Sequence, residues 1–410
     1  MSHVVNNAMA VKAHGLWHRL SADERDRLAV YEIITRLDRF HGTAVGIFTG
    51  DECLAGLSPT QGTELCAVVE YMYSLELLLS LLGDPAFGDR LEKITFNALP
   101  ATFSPDMWSH QYDQQANQVE CSILNDRTWN TNGPQSNIFG VEPNYGCCTA
   151  NLSQGWPKFA AHLWMGAGQG LAALAYAPSE VNVVLGGSPV RVRLETDYPF
   201  RENLHFTVQA PQGTAFPLLL RIPAWAEGAR VQVQAEPSVA ASPGSFHTLE
   251  RRWDGETTFV LTLPMRPRLM NRPGGSFALE RGPLVYALKL GEDWRRIHAD
   301  QPYRELPHAD WEVFPTTPWN YALKASPENL EEDVHFQEQP VGEMPFSPQG
   351  APIQAQVKGR RLPQWELVNG SAAPVPHHPI NSSQPLEELT LIPYGCTNLR
   401  LTEFPILAED

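Results

Sequence analysis

The sequence predicts an α + β multidomain chain: a partial α/α toroid over residues 1–166, then two β-sandwich domains over 167–272 and 273–410. Three observations carry that reading. Ahead of residue 166 the apolar residues recur at helical spacing, and Val68 to Leu82 is apolar on nearly every face, as a helix in an inner layer is. After Leu171 the period drops to two, with proline and glycine punctuating short runs. A chain of 410 residues also has room for two or three domains.

Taken in order, His3 to Trp17 reads as the first helix. Ser21 with Glu24 forms a capping box for the next, which turns Leu28, Ile33, Leu37 and Phe40 to one side. Gly42 to Gly62 is a polar, glycine-bearing loop. Val68 to Leu82 follows, Asp84-Pro85 breaks it, Arg90 to Ala101 is a short partner, and Asn151 to Met165 closes the series. About five helices are too few to close a ring, so faces such as those of Met72 and Leu79 are expected to be open and to favour association, with a homo-oligomer as one outcome. Short strands are expected at 172–176, 190–195, 205–210, 218–222 and, after a Trp253-Asp254-Gly255 turn, 257–263. A second β region opens at Arg281-Gly282-Pro283-Leu284 and ends with 388–392 and 399–403. The proline-rich stretch 337–379 reads as a surface excursion.

The net charge of −16 argues against nucleic acid and against anionic membrane surfaces, both of which select basic patches. It fits a neutral or small soluble substrate, and eleven tryptophans supply ample aromatic surface. No charged-then-apolar leader opens the chain and no apolar run approaches bilayer length, so a soluble, cytoplasmic protein is expected. The abrupt helical pattern at residue 3 suggests that the original start of the chain has been lost.

The chemistry concentrates in two stretches, Gln61-Gly62-Thr63-Glu64-Leu65-Cys66 and Asn144-Tyr145-Gly146-Cys147-Cys148-Thr149-Ala150-Asn151. Adjacent cysteines pair with each other only under strain, but both can face one metal ion if the backbone turns, and Gly146 permits a turn. Glu64 and Cys66 would complete four ligands of a kind that suits Zn²⁺. Residues i and i+2 point to opposite sides of a regular helix, so Glu64 and Cys66 must sit at an irregular helix start or in extended backbone. A closed four-ligand site of this kind is either a structural staple or a means of keeping a nucleophilic thiolate ionised. Gly50-Asp51-Glu52-Cys53 adds an acidic pair near the metal stretch that is either a general acid or a solvated loop. His3 is a third candidate, beside the reading of it as a structural helix residue.

Gly50-Asp51-Glu52, Gln61-Gly62-Thr63-Glu64-Leu65-Cys66, Gly146-Cys147-Cys148-Thr149-Ala150-Asn151 and Gly155-Trp156-Pro157-Lys158-Phe159 together resemble glycoside hydrolase family 127, the β-L-arabinofuranosidase family. Arg281-Gly282-Pro283-Leu284-Val285-Tyr286 and Leu391-Ile392-Pro393-Tyr394-Gly395 look like that family's β regions. The resemblance implies an (α/α)6 barrel followed by β-sandwiches, here as an N-terminally truncated member holding the C-terminal half of the barrel. It implies a retaining, zinc-dependent hydrolase acting on an arabinofuranoside-like carbohydrate. Carried over by residue, it makes Glu64, Cys66, Cys147 and Cys148 the zinc ligands, Cys147 also the nucleophile, and Glu52 the acid/base. His3 and Tyr112 match substrate contacts. The other function considered is a non-catalytic carbohydrate-binding or scaffold protein with a structural zinc.

Overall fold

The computed structural model describes residues 2–127, 132–140 and 145–408. Asn144, part of the cysteine stretch, lies outside the described residues. The chain is a mixed α/β protein with several sheets, and it divides into two compact units. One comprises residues 1–74, 93–155 and 267–410; the other comprises 75–92 and 156–266, a grouping that does not follow the sequence division at 166 and 272.

The first helical stretch is two helices, α1 (Val4–Ala10) and α2 (Ala13–Ser21), not one. His3 is outside α1 and caps it, its Nδ1 accepting from the Asn6 amide at 3.3 Å. The expected capping box is replaced by Asp23, whose carboxylate accepts from the Arg25 amide at the start of α3 (Glu24–His41). Ser21 instead ends α2 and bonds Asp26. Val30 and Leu37 are the buried side chains of α3, whereas Leu28 and Phe40 are both 52% exposed, so the inward face is rotated from the expected one.

The 42–62 loop contains β1 (Gly50–Asp51) and β2 (Cys53–Leu54), and β3 (Thr63–Glu64) runs directly into α4 (Leu65–Leu82). Met72 and Leu79 on α4 are buried, at 1% and 3% exposure, which corrects the expectation of open faces there. The exposed large apolar side chains of the helical part lie on α1 to α3, at Met9, Leu16, Trp17, Leu20, Leu28 and Phe40. By length and composition α4 is also apolar enough to cross a bilayer, contrary to the sequence reading. Its burial and its Glu70 and Glu76 are those of a core helix. Pro85 opens α5 (Pro85–Phe96), where its missing N–H costs nothing, and Asp84 caps the Ala86 amide at 2.9 Å. β4 (Asp113–Gln114) pairs with β3, giving a small sheet of order β2-β1-β3-β4. Helix α6 (Gly146–Ala161) starts five residues before the expected Asn151, so both adjacent cysteines occupy its first turn.

Within the second unit the strands are β5 (Trp164–Ala167), β6 (Gly170–Ala173), β7 (Ser179–Leu185), β8 (Ser188–Thr196), β9 (Asn203–Ile222), β10 (Arg230–Val233), β11 (Val239–Ala240) and β12 (Ser245–Thr262). They form one eight-stranded sheet. The two strands expected at 205–210 and 218–222 are the ends of β9, and the expected turn at Trp253-Asp254-Gly255 is a register shift where β12 pairs with β9. A glycine at φ +63° within a bulge looks like a turn in sequence. The same unit buries Arg221 against Asp89 and Glu92, with Tyr198 donating to Glu92 at 2.5 Å.

The last region carries β13 (Pro267–Arg272), β14 (Ser276–Arg281), β15 (Leu284–Lys289), β16 (Glu292–Ile297), β17 (Asp310–Pro315), β18 (Tyr321–Lys324), α7 (Leu330–Asp333) and β19 (Val334–Glu338). β20 (Ile353–Arg361), the short β21 (Leu367–Val368) and β22 (Ser371–Ala372), β23 (Leu386–Pro393) and β24 (Arg400–Leu401) follow. β20 pairs with β18, β19 and β23, so the proline-rich excursion in fact contains an inner strand. This sheet matters to the site because it holds the 97–118 segment. Buried Arg400 donates to the carbonyls of Ala101 and Gln115, Tyr394 donates to Gln114 at 2.8 Å, and Asn117 accepts from the amides of Thr402 and Glu403. Tyr112 and Asp113 lie on that clamped segment.

Candidate active site

The β3–α4 junction solves the geometric problem posed by Glu64 and Cys66. Glu64 is extended and Cys66 is helical, so side chains two residues apart converge. The first turn of α6 brings Cys147 and Cys148 to them, and one ligand atom from each of the four residues lies within 4.8 Å of the others. Cys66 and Cys148 are buried with their sulfurs 3.2 Å apart, while Cys147 is exposed.

The cluster is electrostatically strained as a set of bare groups. Burial, with the charges of Glu52 and Cys147, pushes the Glu64 carboxyl up to about 8, and its Oε2 is buried without a hydrogen-bond partner among the described residues. Hydrogen bonds from Cys148 and then Cys66 favour the Cys147 thiolate and bring it down to about 6, while burial drives Cys148 strongly upward. Position in the first turn of a helix adds a favourable dipole for a thiolate. Three sulfurs, one carboxylate and an orphaned buried oxygen fit a bound cation, and the donor types suit zinc.

A second group forms around Glu52. The chain start pairs with this loop: the Val4 amide donates to the Glu52 carbonyl and the Leu54 amide to the Ser2 carbonyl, both at 2.8 Å. Gly50 makes the approach possible, since a Cβ there would sit 2.6 Å from the Val4 side chain. Because His3 Nδ1 accepts from Asn6, its Nε2 carries the proton and donates to Glu52 Oε2 at 3.0 Å. Tyr112 Oη and Asn132 Nδ2 donate to Glu52 Oε1 at 3.0 and 3.1 Å. Glu52 itself holds φ at +64°, a left-handed conformation that a side-chain-bearing residue adopts only when its surroundings impose it. That backbone strain, with three convergent donors, separates Glu52 from a solvated loop carboxylate.

The sequence-predicted residues thus fall into one neighbourhood: Glu64, Cys66, Cys147 and Cys148 on one side, and His3, Glu52 and Tyr112 on the other. Sequence reasoning missed three more. Asn132 bonds both Asp51 and Glu52. Tyr145 packs on Tyr112, the rings tilted with centroids 4.4 Å apart, and donates to the Asn132 carbonyl at 2.9 Å. Asp113 is fully buried beside Asp51, and burial with that neighbour raises it well above the carboxylate range. Only Tyr145, within the cysteine stretch, carried a sequence signal.

The fold is similar to that of three solved structures described as glycosidases. A GH127 β-L-arabinofuranosidase from Geobacillus stearothermophilus T6 matches 98% of this chain with a TM-score of 0.70 at 19% identity. A GH127 β-arabinofuranosidase matches 98% at a TM-score of 0.70 and 18% identity, and a structure described as a glycoside hydrolase matches 100% at 0.69 and 16%. More particularly, residues 170–265 match the family described as β-L-arabinofuranosidase, GH127 middle domain. No curated protein matches the chain. This chain spans 59%, 60% and 66% of the three solved chains, respectively.

Proposed function

We propose that this chain carries the catalytic site of a zinc-dependent retaining glycosidase that releases L-arabinofuranose or a related sugar. On this reading its helices are the C-terminal half of an (α/α)6 toroid and its large sheets belong to β-sandwiches. The observation that supports it most is the pairing of an exposed, acidified thiol with a strained, triply hydrogen-bonded carboxylate. A purely structural staple requires neither the exposed Cys147 nor the strained Glu52.

Glu64, Cys66, Cys147 and Cys148 would hold the zinc, which would supply positive charge that keeps the thiols ionised at neutral pH. Cys147 Sγ attacks the anomeric carbon as the glycosidic C–O bond breaks. The departing oxygen keeps the bonding pair and takes the proton from Glu52. Water then gives its proton to Glu52 and attacks the same carbon, the C–S bond breaks, and the pair returns to Cys147. Two displacements retain the configuration. Tyr112 and Asn132 fix Glu52 Oε1, which leaves Oε2, beside His3, to give and take the proton. His3 and Tyr112 border the sugar. The free cysteines suit a reducing compartment, in keeping with a cytoplasmic location.

Intact-mass and peptide analysis after a rapid quench tests the assignment. With an activated aryl arabinofuranoside, one pentosyl residue is expected on the Cys147 peptide, absent in Cys147→Ala. A pentosyl group on a carboxylate, or turnover by Cys147→Ala at the unaltered rate, would sink the mechanism.

A further inference from the structure

A cavity of about 460 Å³ opens in the first unit and shares no lining residue with the cysteine cluster. Its volume falls among those of small-molecule sites, about 300–1,000 Å³. The β16–β17 hairpin builds it. Trp294 lies opposite Val313, which makes Trp311 its diagonal neighbour, so strand alternation puts both indoles on one face. Their centroids are 6.3 Å apart at 73°, forming a corner, and both rings stay partly exposed.

The corner is held rigidly. Trp294 packs on Phe139 at 4.9 Å and donates its Nε1–H to Glu292 at 2.8 Å, while Glu292 also accepts from the Leu399 amide. Trp311 exchanges backbone hydrogen bonds with Phe139. Leu290 and Pro348 are buried in the floor. Around the mouth stand Asp106, Lys289 and Gln349. Asp106 is exposed, and its Oδ1 accepts from Ser104 Oγ and the Trp108 amide.

The geometry points to a binding site for a neutral oligosaccharide at the Trp294–Trp311 corner, separate from the site of hydrolysis. A pyranose or furanose ring has an apolar C–H face and a polar hydroxyl edge. An aromatic wall beneath a rim of both donors and acceptors matches both. Two carboxylates against one lysine give an anionic ligand no net attraction, which disfavours phosphates and uronates. A lipid tail would leave the polar rim unpaired. The site gives the surplus tryptophans of the sequence a role that the catalytic residues do not use.

Calorimetric titration of the full chain with neutral arabino-, xylo- and gluco-oligosaccharides tests it, with oligogalacturonate as the anionic control. Saturable binding of at least one neutral series is expected, about tenfold weaker in Trp311→Ala. Gln349→Ala, at an exposed rim position, guards against misfolding of the tryptophan variant and should weaken binding with circular dichroism unchanged. Cys147→Ala should keep the component of binding that Trp311→Ala removes, so failure of the hydrolase reading and failure of this one are distinguishable. No saturable neutral ligand, equal binding by oligogalacturonate, or binding unaffected by both Trp311→Ala and Gln349→Ala would overturn the proposal.

Discussion

The two halves of the candidate active site differ in completeness. The carboxylate half is finished by the chain itself: every oxygen of Glu52 has a donor, and the loop is fixed by backbone pairing with residues 2–4. The sulfur half is not. Glu64 is pushed toward its neutral form, its Oε2 has no partner among the described residues, and two buried sulfurs crowd at 3.2 Å. Orphaned buried polar atoms persist when something else satisfies them. One half is therefore organised by hydrogen bonds and the other is organised for a cation.

Breaking the carboxylate half should produce the largest effect. On the proposed function, Glu52→Gln is expected to lower turnover of a natural disaccharide by about 10²–10⁴-fold, the usual worth of a positioned acid/base. On an aryl arabinofuranoside with a good leaving group the loss in the glycosylation step should be much smaller. Equal losses on both substrates, measured by single-turnover kinetics, would count against the assignment.

A smaller effect should follow from loosening the same half without touching its chemistry. Gly50→Ala places a methyl group 2.6 Å from Val4, an overpacking that costs about 1–3 kcal/mol and pushes α1, with His3, away from Glu52. Both thermal stability and kcat should fall. Gly166→Ala, where a Cβ meets open space, should be close to neutral and serves as the control. A Gly50→Ala variant with unchanged melting and turnover would show that the close approach of α1 is dispensable.

The sulfur half predicts the smallest, pH-dependent effect. The folded Glu64 carboxyl is raised from 4.5 to about 8, so the metal-free folded state keeps a proton that the unfolded chain has lost. That contribution is full below pH 4.5 and is lost as pH rises through about 8. Cys147 works in the opposite sense: lowered from 9.0 to about 6, its contribution is present above 9 and lost as pH falls through 6. Glu64→Gln should therefore flatten the fall in metal-free Tm between pH 4.5 and 8, by something on the order of 2–4 °C. Melting curves with the same slope in both proteins would contradict the assigned shift.

How much of this was legible in the sequence differs between the halves too. Glu64-x-Cys66 and Cys147-Cys148 announced themselves because sulfur and carboxylate at short spacing have few other uses, and the constraint on i and i+2 correctly demanded the irregular β3–α4 junction. The support of Glu52 was invisible. Asn132 reaches it from an irregular segment with no periodicity, Asp113 lies beside neighbouring Asp51 on a strand of only two residues, and the 101–118 stretch that carries Tyr112 and Asp113 is held by Arg400, Tyr394 and Asn117 through contacts that span the chain. Helix existence was readable from apolar spacing, but caps were misplaced where Asp23 outcompeted Ser21. Strand boundaries failed where Pro211, Gly213 and Gly255 marked a bulge within β9 and β12 instead of a turn.

The contrast between a finished half and a cation-dependent half is tested most directly by zinc-edge X-ray absorption on the reduced chain loaded with one equivalent of zinc. The account predicts a shell of three sulfurs and one oxygen, with the oxygen altered in Glu64→Gln and a sulfur lost in Cys66→Ala. A shell of nitrogen and oxygen alone, or spectra unchanged by both substitutions, would contradict it.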